Sequence, residues 1–234
     1  PAEKAGLLPG DWIIKVNDEE TTGWTVPTAV TKIRGARGTT VTLQILHEKD
    51  ISPIDIAIVR DTILVASVDS WIKPVSQVLE ISTASESATF KKSNDVIGYL
   101  LLSRFGDRTN DEWNTAVSNL LATPKTLGRL KGIVLDLRNN PGGYLDGSVF
   151  IASEFVKSGT VVSQVNSDGS KQDFPVNRRG RLTDIPLVVL INKGSASAAE
   201  IVAGALRDLR HVKLVGETTF GKGSVQTPYE LTGG

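Results

Sequence analysis

From residue 96 onward, apolar runs of strand length alternate with stretches of helical period, and this alternation constrains the fold more than any other feature. VIGYLLLSRF reads as a strand, and DEWNTAVSNLLATP as a helix with Trp113, Val117, Leu120 and Leu121 on one side. KGIVLDLRNN is a buried-strand pattern that stops at a Pro-Gly-Gly turn, and YLDGSVFIASEFVKSG is a helix ended by Gly159. GTVVSQVN and PLVVLINKG follow as strands, ASAAEIVAGALRDLR as a helix, and HVKLVGE and KGSVQTPYEL as two further strands. Such an order predicts parallel βαβ units with right-handed crossovers, and so an α/β domain over residues 96–234.

The first 66 residues have a different pattern. A PGD turn precedes an alternating strand in which Trp12, Ile14 and Val16 face one way and Ile13 and Lys15 the other. TVPTAVTKIRG then predicts a short helix with Val26, Ala29, Val30 and Ile33 on one face, ended by Gly35. The runs GARGTTVTLQIL and IDIAIV supply two more strands. These elements make a small α+β module, so the whole chain is expected to be α+β overall. Residues 67–95, rich in Ser and Thr, are expected to connect the two domains with some strand content. The text opens at Pro1 in mid-pattern and stops just after a strand-like run. Both domains are therefore expected to be incomplete at their outer ends, as in the interior of a longer polypeptide.

Composition removes several function classes. Twenty-six basic residues balance 26 acidic ones, and the six Phe, three Tyr and four Trp never interleave with a basic stripe, which argues against a nucleic-acid partner. There is no cysteine, so thiol nucleophiles, disulfides and Cys-ligated metals are excluded. Only His47 and His211 are present, too few for a multi-histidine metal site. His211 follows RDLR at a predicted helix end, where a basic group interacts with the dipole. His47 sits in the first module and is expected on an exposed strand. No metal and no organic cofactor is expected.

In open α/β sheets the reactive groups gather beyond the carboxyl ends of the strands. Three such ends carry unusual text: NNPGG, KGSASAAE and ETTFGKGS. In KGSASAAE a strand runs through small residues directly into a helix, whose start offers unpaired N–H groups beside a hydroxyl, Ser195 or Ser197. Taken alone, that hydroxyl is more simply read as a helix cap. ETTFGKGS approaches a phosphate-binding loop, yet Gly223 stands where the metal-binding Ser or Thr belongs, and the following SVQTPYEL reads as a strand rather than a helix. No nucleotide is expected. In NNPGG, Gly142 and Gly143 let the backbone approach a ligand and aim an N–H at it.

Together the three segments hold the parts of an acyl-transfer site. A serine needs a base, and a neutral lysine can serve where no histidine is suitable. Bringing a lysine from its ordinary value of about 10.4 to near 7 requires roughly 4–5 kcal/mol of differential stabilisation. Burial supplies such terms, and Phe220 beside Lys222 is a candidate contributor.

GSASAAEIVAGALRD, VGETTFGKGSVQ and DLRNNPGG, in this chain positions and order, resemble the C-terminal processing peptidases (tail-specific proteases). PAEKAGLLPGDWIIKVND resembles their PDZ domain. The resemblance covers nearly the whole chain and is weakest over residues 70–95. It implies an N-terminal PDZ-like module over residues 1–66, a connecting segment over 67–95, and a crotonase-like Ser-Lys protease core over 96–234. It also implies Ser197 as nucleophile, Lys222, 25 residues later, as base, and Gln226 as the group that orients the lysine. Ala198 and one of Gly142 or Gly143 would form the oxyanion hole, with Glu200 and Thr219 supporting. The PDZ peptide groove would use Val26, Ala29, Val30 and Ile33 to capture C-terminal tails of protein substrates. Members of the family are usually exported, so an extracytoplasmic place, periplasm or cell envelope, is expected. An adaptor or a homo-oligomeric partner is compatible with the resemblance. The alternative is a catalytically inactive PDZ peptide-binding or adaptor protein.

Overall fold

The computed structural model describes residues 1–48, 50–63, 65–78, 95–122 and 127–225. The chain divides into two compact units, Pro1–Val65 and Ala66–Gly234.

In the first unit a single 3-10 turn, Glu3–Ala5, precedes β1 (Trp12–Val16), β2 (Glu19–Glu20), α1 (Val26–Ile33), β3 (Thr40–Leu46) and β4 (Ile54–Val59). The strands form one antiparallel sheet in the order β2-β1-β3-β4. Strict alternation in β3 sends Val41, Leu43 and Ile45 inward, where they meet Val16 and Ile58 and are partly covered by Leu7, Trp24 and Ile33. In β1 the expected alternation fails. A register shift between Ile13 and Lys15 turns Ile13 toward the core that Val16 fills, and leaves Trp12 exposed.

Helix α1 starts as its sequence predicts, with Thr25 Oγ1 accepting the Thr28 N–H at 3.3 Å and Pro27 in the first turn. It ends at Ile33 without a glycine cap. The Arg60 guanidinium takes the carbonyls of Ile33 (2.8 Å) and Lys32 (3.2 Å) instead. Gly35 lies close to the same side chain: a Cβ there would be 2.9 Å from the guanidinium, which would have to shift. His47 also differs from expectation. It is half-buried just after β3, with Nδ1 at 2.6 Å from Asp11 Oδ1.

The second unit contains β5 (Val68–Pro74), α2 (Val75–Val78), β6 (Asp95–Leu102), α3 (Thr109–Leu121), β7 (Arg129–Asp136), α4 (Leu145–Ser153), β8 (Thr160–Val165), β9 (Lys171–Pro175), β10 (Leu187–Ile191), α5 (Ala198–Arg210) and β11 (Lys213–Gly216). Its main sheet runs β11-β10-β7-β6-β5. The β6–β7, β7–β10 and β10–β11 pairs are parallel, whereas β5 closes one edge antiparallel to β6. The opening part of the connecting segment is thus a full strand of the larger sheet. One sheet face, carrying Leu100, Leu102, Ile133, Leu135 and Val189, buries Trp113, Val117 and Leu120 of α3, Ile151 of α4, and Val202 and Leu206 of α5. Full burial of each such side chain contributes about 1.5–3 kcal/mol. Leu121, read as part of the buried side of α3, is exposed.

Two further expectations are corrected here. Helix α4 stops at Ser153 rather than running to Gly159. The next residue, Glu154, is the C-cap and is fully buried; its carboxylate accepts from Trp113 Nε1 (3.1 Å), Arg178 (2.9 Å) and Arg181 (2.8 Å). β8 does not join the parallel sheet. It pairs antiparallel with β9, a strand the sequence pattern did not disclose, through a turn in which Asp168 Oδ1 accepts the Ser170 N–H at 2.9 Å.

Candidate active site

Strands β7, β10 and β11 are parallel neighbours, so their carboxyl ends lie side by side. That topology is what brings the three unusual segments together, because each one leaves from one of these ends.

The segment after β10 separates its two serines. Ser195 is fully buried; its hydroxyl donates to the Leu137 carbonyl at 2.8 Å and accepts the Asn192 N–H at 3.0 Å. It fastens the loop and has no access to a ligand. Ser197 is half-buried at the N-cap of α5 and opens onto a cleft of about 990 Å³. Its φ of 54° and ψ of −118° are costly for a residue with a Cβ, and such strain persists only where the surroundings enforce it. The Ser197 carbonyl receives the N–H groups of Glu200 (2.8 Å) and Ile201 (3.0 Å). The Ala198 N–H, at the first helical position, precedes the first intrahelical bond and is available to an anion.

The segment after β7 presses its backbone against the serine. A Cβ on Gly142 would sit 2.7 Å from Ser197 Cβ and 3.0 Å from the Ala198 nitrogen, so only glycine fits. The Gly142 N–H is already spent, donating to Asn140 Oδ1 at 2.9 Å. Gly143 forms a parallel bridge with Phe105, in which the Phe105 N–H goes to Gly142 O (2.9 Å) and the Tyr144 N–H to Phe105 O (3.1 Å). In that pattern the Gly143 N–H points away from Phe105, and Gly143 lines the cleft.

The segment after β11 delivers Lys222, half-buried and lining the same cleft as Ser197. It is held by one carboxylate. Glu200 Oε1 accepts from Thr219 Oγ1 (2.7 Å) and the Gly221 N–H (2.7 Å), and Oε2 from the N–H groups of Ser197 (2.8 Å) and Lys222 (2.9 Å). Burial pushes the Glu200 carboxyl upward, but these four hydrogen bonds outweigh it and hold its pKa below the usual glutamate value. Glu200 and Thr219, expected as supporting residues, therefore have a definite physical task. The carboxylate also fills the cluster of N–H groups that a phosphate would need in GETTFGKG, and residues 221–225 open no helix.

Other expectations fare unequally. Phe220 is 70% exposed and gives Lys222 little apolar cover; its N–H donates to the Ser195 carbonyl at 3.0 Å. Residues 222–225, read as the start of a strand, pair with no strand among the described residues, and Gln226 lies outside the described residues. His211 sits at the C-cap of α5, as its position after RDLR implied. In the first unit, Ile33 and Ala29 are partly buried, while Val26 and Val30 on α1 are exposed.

Sequence reasoning missed Asn140, fully buried behind the glycine turn, and the Asn139–Asn192 pair, which exchanges bonds of 2.8 Å and 2.9 Å between the first two segments. An Asn-Asn doublet before a Pro-Gly turn was the available signal. It also missed that β8 borders the cleft through Val162–Val165, with its edge away from β9 unpaired among the described residues.

The family model for peptidase family S41 matches residues 96–234, and a PDZ domain model matches residues 1–46. A carboxy-terminal-processing protease of Bartonella bacilliformis is 40% identical over 97% of this chain and 48% of that protein. The carboxy-terminal processing protease CtpA of Bacillus subtilis is 39% identical over 100% of this chain and 45% of that protein. Among solved structures, a photosystem II D1 C-terminal processing protease superposes with a TM-score of 0.57 at 28% identity, covering 97% of this chain and 56% of that one. The chain spans about half the length of the curated relatives it matches.

Proposed function

Because this chain belongs to peptidase family S41, we propose that it carries the reactive centre of a serine endopeptidase, with Ser197 as nucleophile and Lys222 as general base. The observation that supports this best is the convergence on one cleft of a strained, accessible serine, a lysine, and two free amides, those of Ala198 and Gly143.

In this reading Ser197 Oγ attacks the scissile carbonyl carbon while the Lys222 amine takes the hydroxyl proton. The carbonyl oxygen becomes an oxyanion and accepts from Ala198 and Gly143. Collapse breaks the C–N bond, and the lysine returns its proton to the leaving amine. Water, deprotonated by the Lys222 amine, then attacks the ester carbonyl; the ester C–O bond breaks, and the lysine returns the proton to Ser197 Oγ.

The cleft is open and bordered by residues of β8, a strand whose edge away from β9 is unpaired among the described residues, and this suits an extended peptide added as a strand. The relatives' names point to protein C-termini as substrates. Exposed Val26 and Val30 on α1 suit capture of such tails by the PDZ module. Family kinship supports an extracytoplasmic place.

The test compares the full-length protein with Ser197→Ala and Lys222→Ala on an unfolded protein substrate, scored by gel and mass spectrometry. Wild type is expected to cut, and each variant to lose about 10³-fold or more in rate. Undiminished cleavage by either variant would overturn the assignment. Peptide binding by a wild type that cuts nothing would favour the adaptor role instead.

A further inference from the structure

Asn140 is fully buried and spends every polar group it has. Its Nδ2 donates to the Leu102 carbonyl at 2.8 Å, and its Oδ1 accepts the Gly142 N–H at 2.9 Å. Its main-chain carbonyl accepts the Ala196 N–H at 2.9 Å, and its own N–H donates to Leu137 O at 3.2 Å. One residue thus joins the end of β6, the glycine turn and the residue before Ser197.

We propose that Asn140 is the positioning residue of the oxyanion hole: by engaging the Gly142 N–H it dictates that Gly143, and not Gly142, presents its amide to the reacting carbonyl. This rests on the reading of Ser197 as nucleophile. The two glycines have φ of +96° and +138°, and with no Cβ at either position the peptides on both sides of Gly142 can rotate unless something pins them. Two restraints do so, one for each peptide. The Phe105 bridge holds Gly142 O and the Tyr144 N–H on one side. Asn140 Oδ1 holds the Gly142 N–H on the inner side, away from the cleft. The Gly143 N–H is what remains. Close approach makes this arrangement unforgiving, since a Cβ on Gly143 would lie 1.9 Å from the Phe105 oxygen. Loss of the Asn140 side chain would leave a buried Gly142 N–H without its acceptor, and the turn would relax to find another.

The alternative is that Asn140 only stabilises the fold. A KM-against-kcat split separates the two, because a misaimed amide weakens the transition state while leaving peptide binding alone. In the full-length protein, Asn140→Ala is expected to lower kcat about 100-fold with KM within about threefold. Inhibition by a peptide boronic acid, whose adduct oxygen occupies the oxyanion position, is expected to weaken by a similar factor. Binding of the cleaved product peptide is expected to stay within about threefold. Asn140→Asp, kept protonated by full burial against the Leu102 carbonyl, retains both a donor to Leu102 and the acceptor for Gly142 and is expected to recover kcat to within about tenfold of wild type. If Asn140→Ala does not fold, as judged by circular dichroism and thermal melting, Asn140→Asp decides alone, by retaining or losing boronate affinity. Wild-type kcat in Asn140→Ala, a change confined to KM, or an Asn140→Asp protein lacking boronate affinity each overturn the proposal. Ser197→Ala is run alongside: absence of Ser197-dependent cleavage in the wild type refutes the nucleophile assignment, whereas Ser197-dependent cleavage with an unimpaired Asn140→Ala refutes only the role of Asn140.

Discussion

Glu200 accepts the main-chain N–H of Lys222 at 2.9 Å through the same oxygen that accepts the Ser197 N–H at 2.8 Å. A single carboxylate therefore ties the lysine's loop to the first turn of the helix that carries the serine. Among the described residues the loop over 217–225 pairs with no strand; it is held by this anchor, by the Glu217 N–H to the Ile191 carbonyl at 3.2 Å and by the Phe220 N–H to the Ser195 carbonyl at 3.0 Å.

Glu200→Ala should uncouple the two. Four donors lose their acceptor, and a shift of the lysine by about 1 Å is enough to cost roughly 100-fold in kcat/KM. Glu200→Gln, retaining one strong acceptor, should fall between Ala and wild type. The sign of the pH effect follows from the lowered folded pKa. The anchoring carboxylate contributes fully above the unfolded glutamate value and is lost as pH falls through the lower folded value. Loop anchoring should thus be complete at neutral and alkaline pH, so any acid limb near pH 7 must come from another group. Steady-state kinetics of the three proteins from pH 5 to 10 checks this.

Ser195 and Ser197 differ by two positions and should differ in kind when changed. Ser195→Ala removes a buried bridge between Leu137 and Asn192, which should lower stability by about 1–3 kcal/mol while leaving cleavage measurable. Ser197→Ala should leave the melting temperature nearly unchanged while cleavage disappears. Denaturant titration beside an activity assay separates them, and equal loss of activity would show the cleft assignment to be wrong.

Glu154, which does not line the cleft, offers a stability test. Burial raises its pKa, but hydrogen bonds from Arg181 and Arg178 more than compensate and bring it to about 2, below the ordinary 4.5. Its contribution is present above the ordinary value and drains away as pH falls from about 4.5 toward 2. Glu154→Ala leaves two guanidinium groups and the Trp113 indole without their acceptor, and should cost roughly 3–5 kcal/mol at pH 7. The gap between the two proteins should shrink in melts taken at pH 3 and below.

Much of this was legible in the one-dimensional text. The helix over Ala198–Arg210 and the strands around it announced themselves through period and burial pattern, because a residue's need to bury an apolar face repeats locally along the chain. Ser197, Lys222 and the two glycines stood at strand ends, and motif order singled them out as candidates.

Other features were settled only by contacts between distant segments. Sequence alone could not tell the amides of Gly142 and Gly143 apart; only the fold shows that the side chain of Asn140 takes the Gly142 N–H. Nor could it say that β8 would abandon the parallel sheet for β9, because an isolated alternating strand carries no record of its partner. The shape of the first unit's β1 was likewise decided by a bulge against β3 that two-residue periodicity does not encode. Period and motif are properties of neighbours along the chain. The assignment of each hydrogen-bond donor to its acceptor is a property of the folded whole, and in this protein that assignment decides which groups remain free in the cleft.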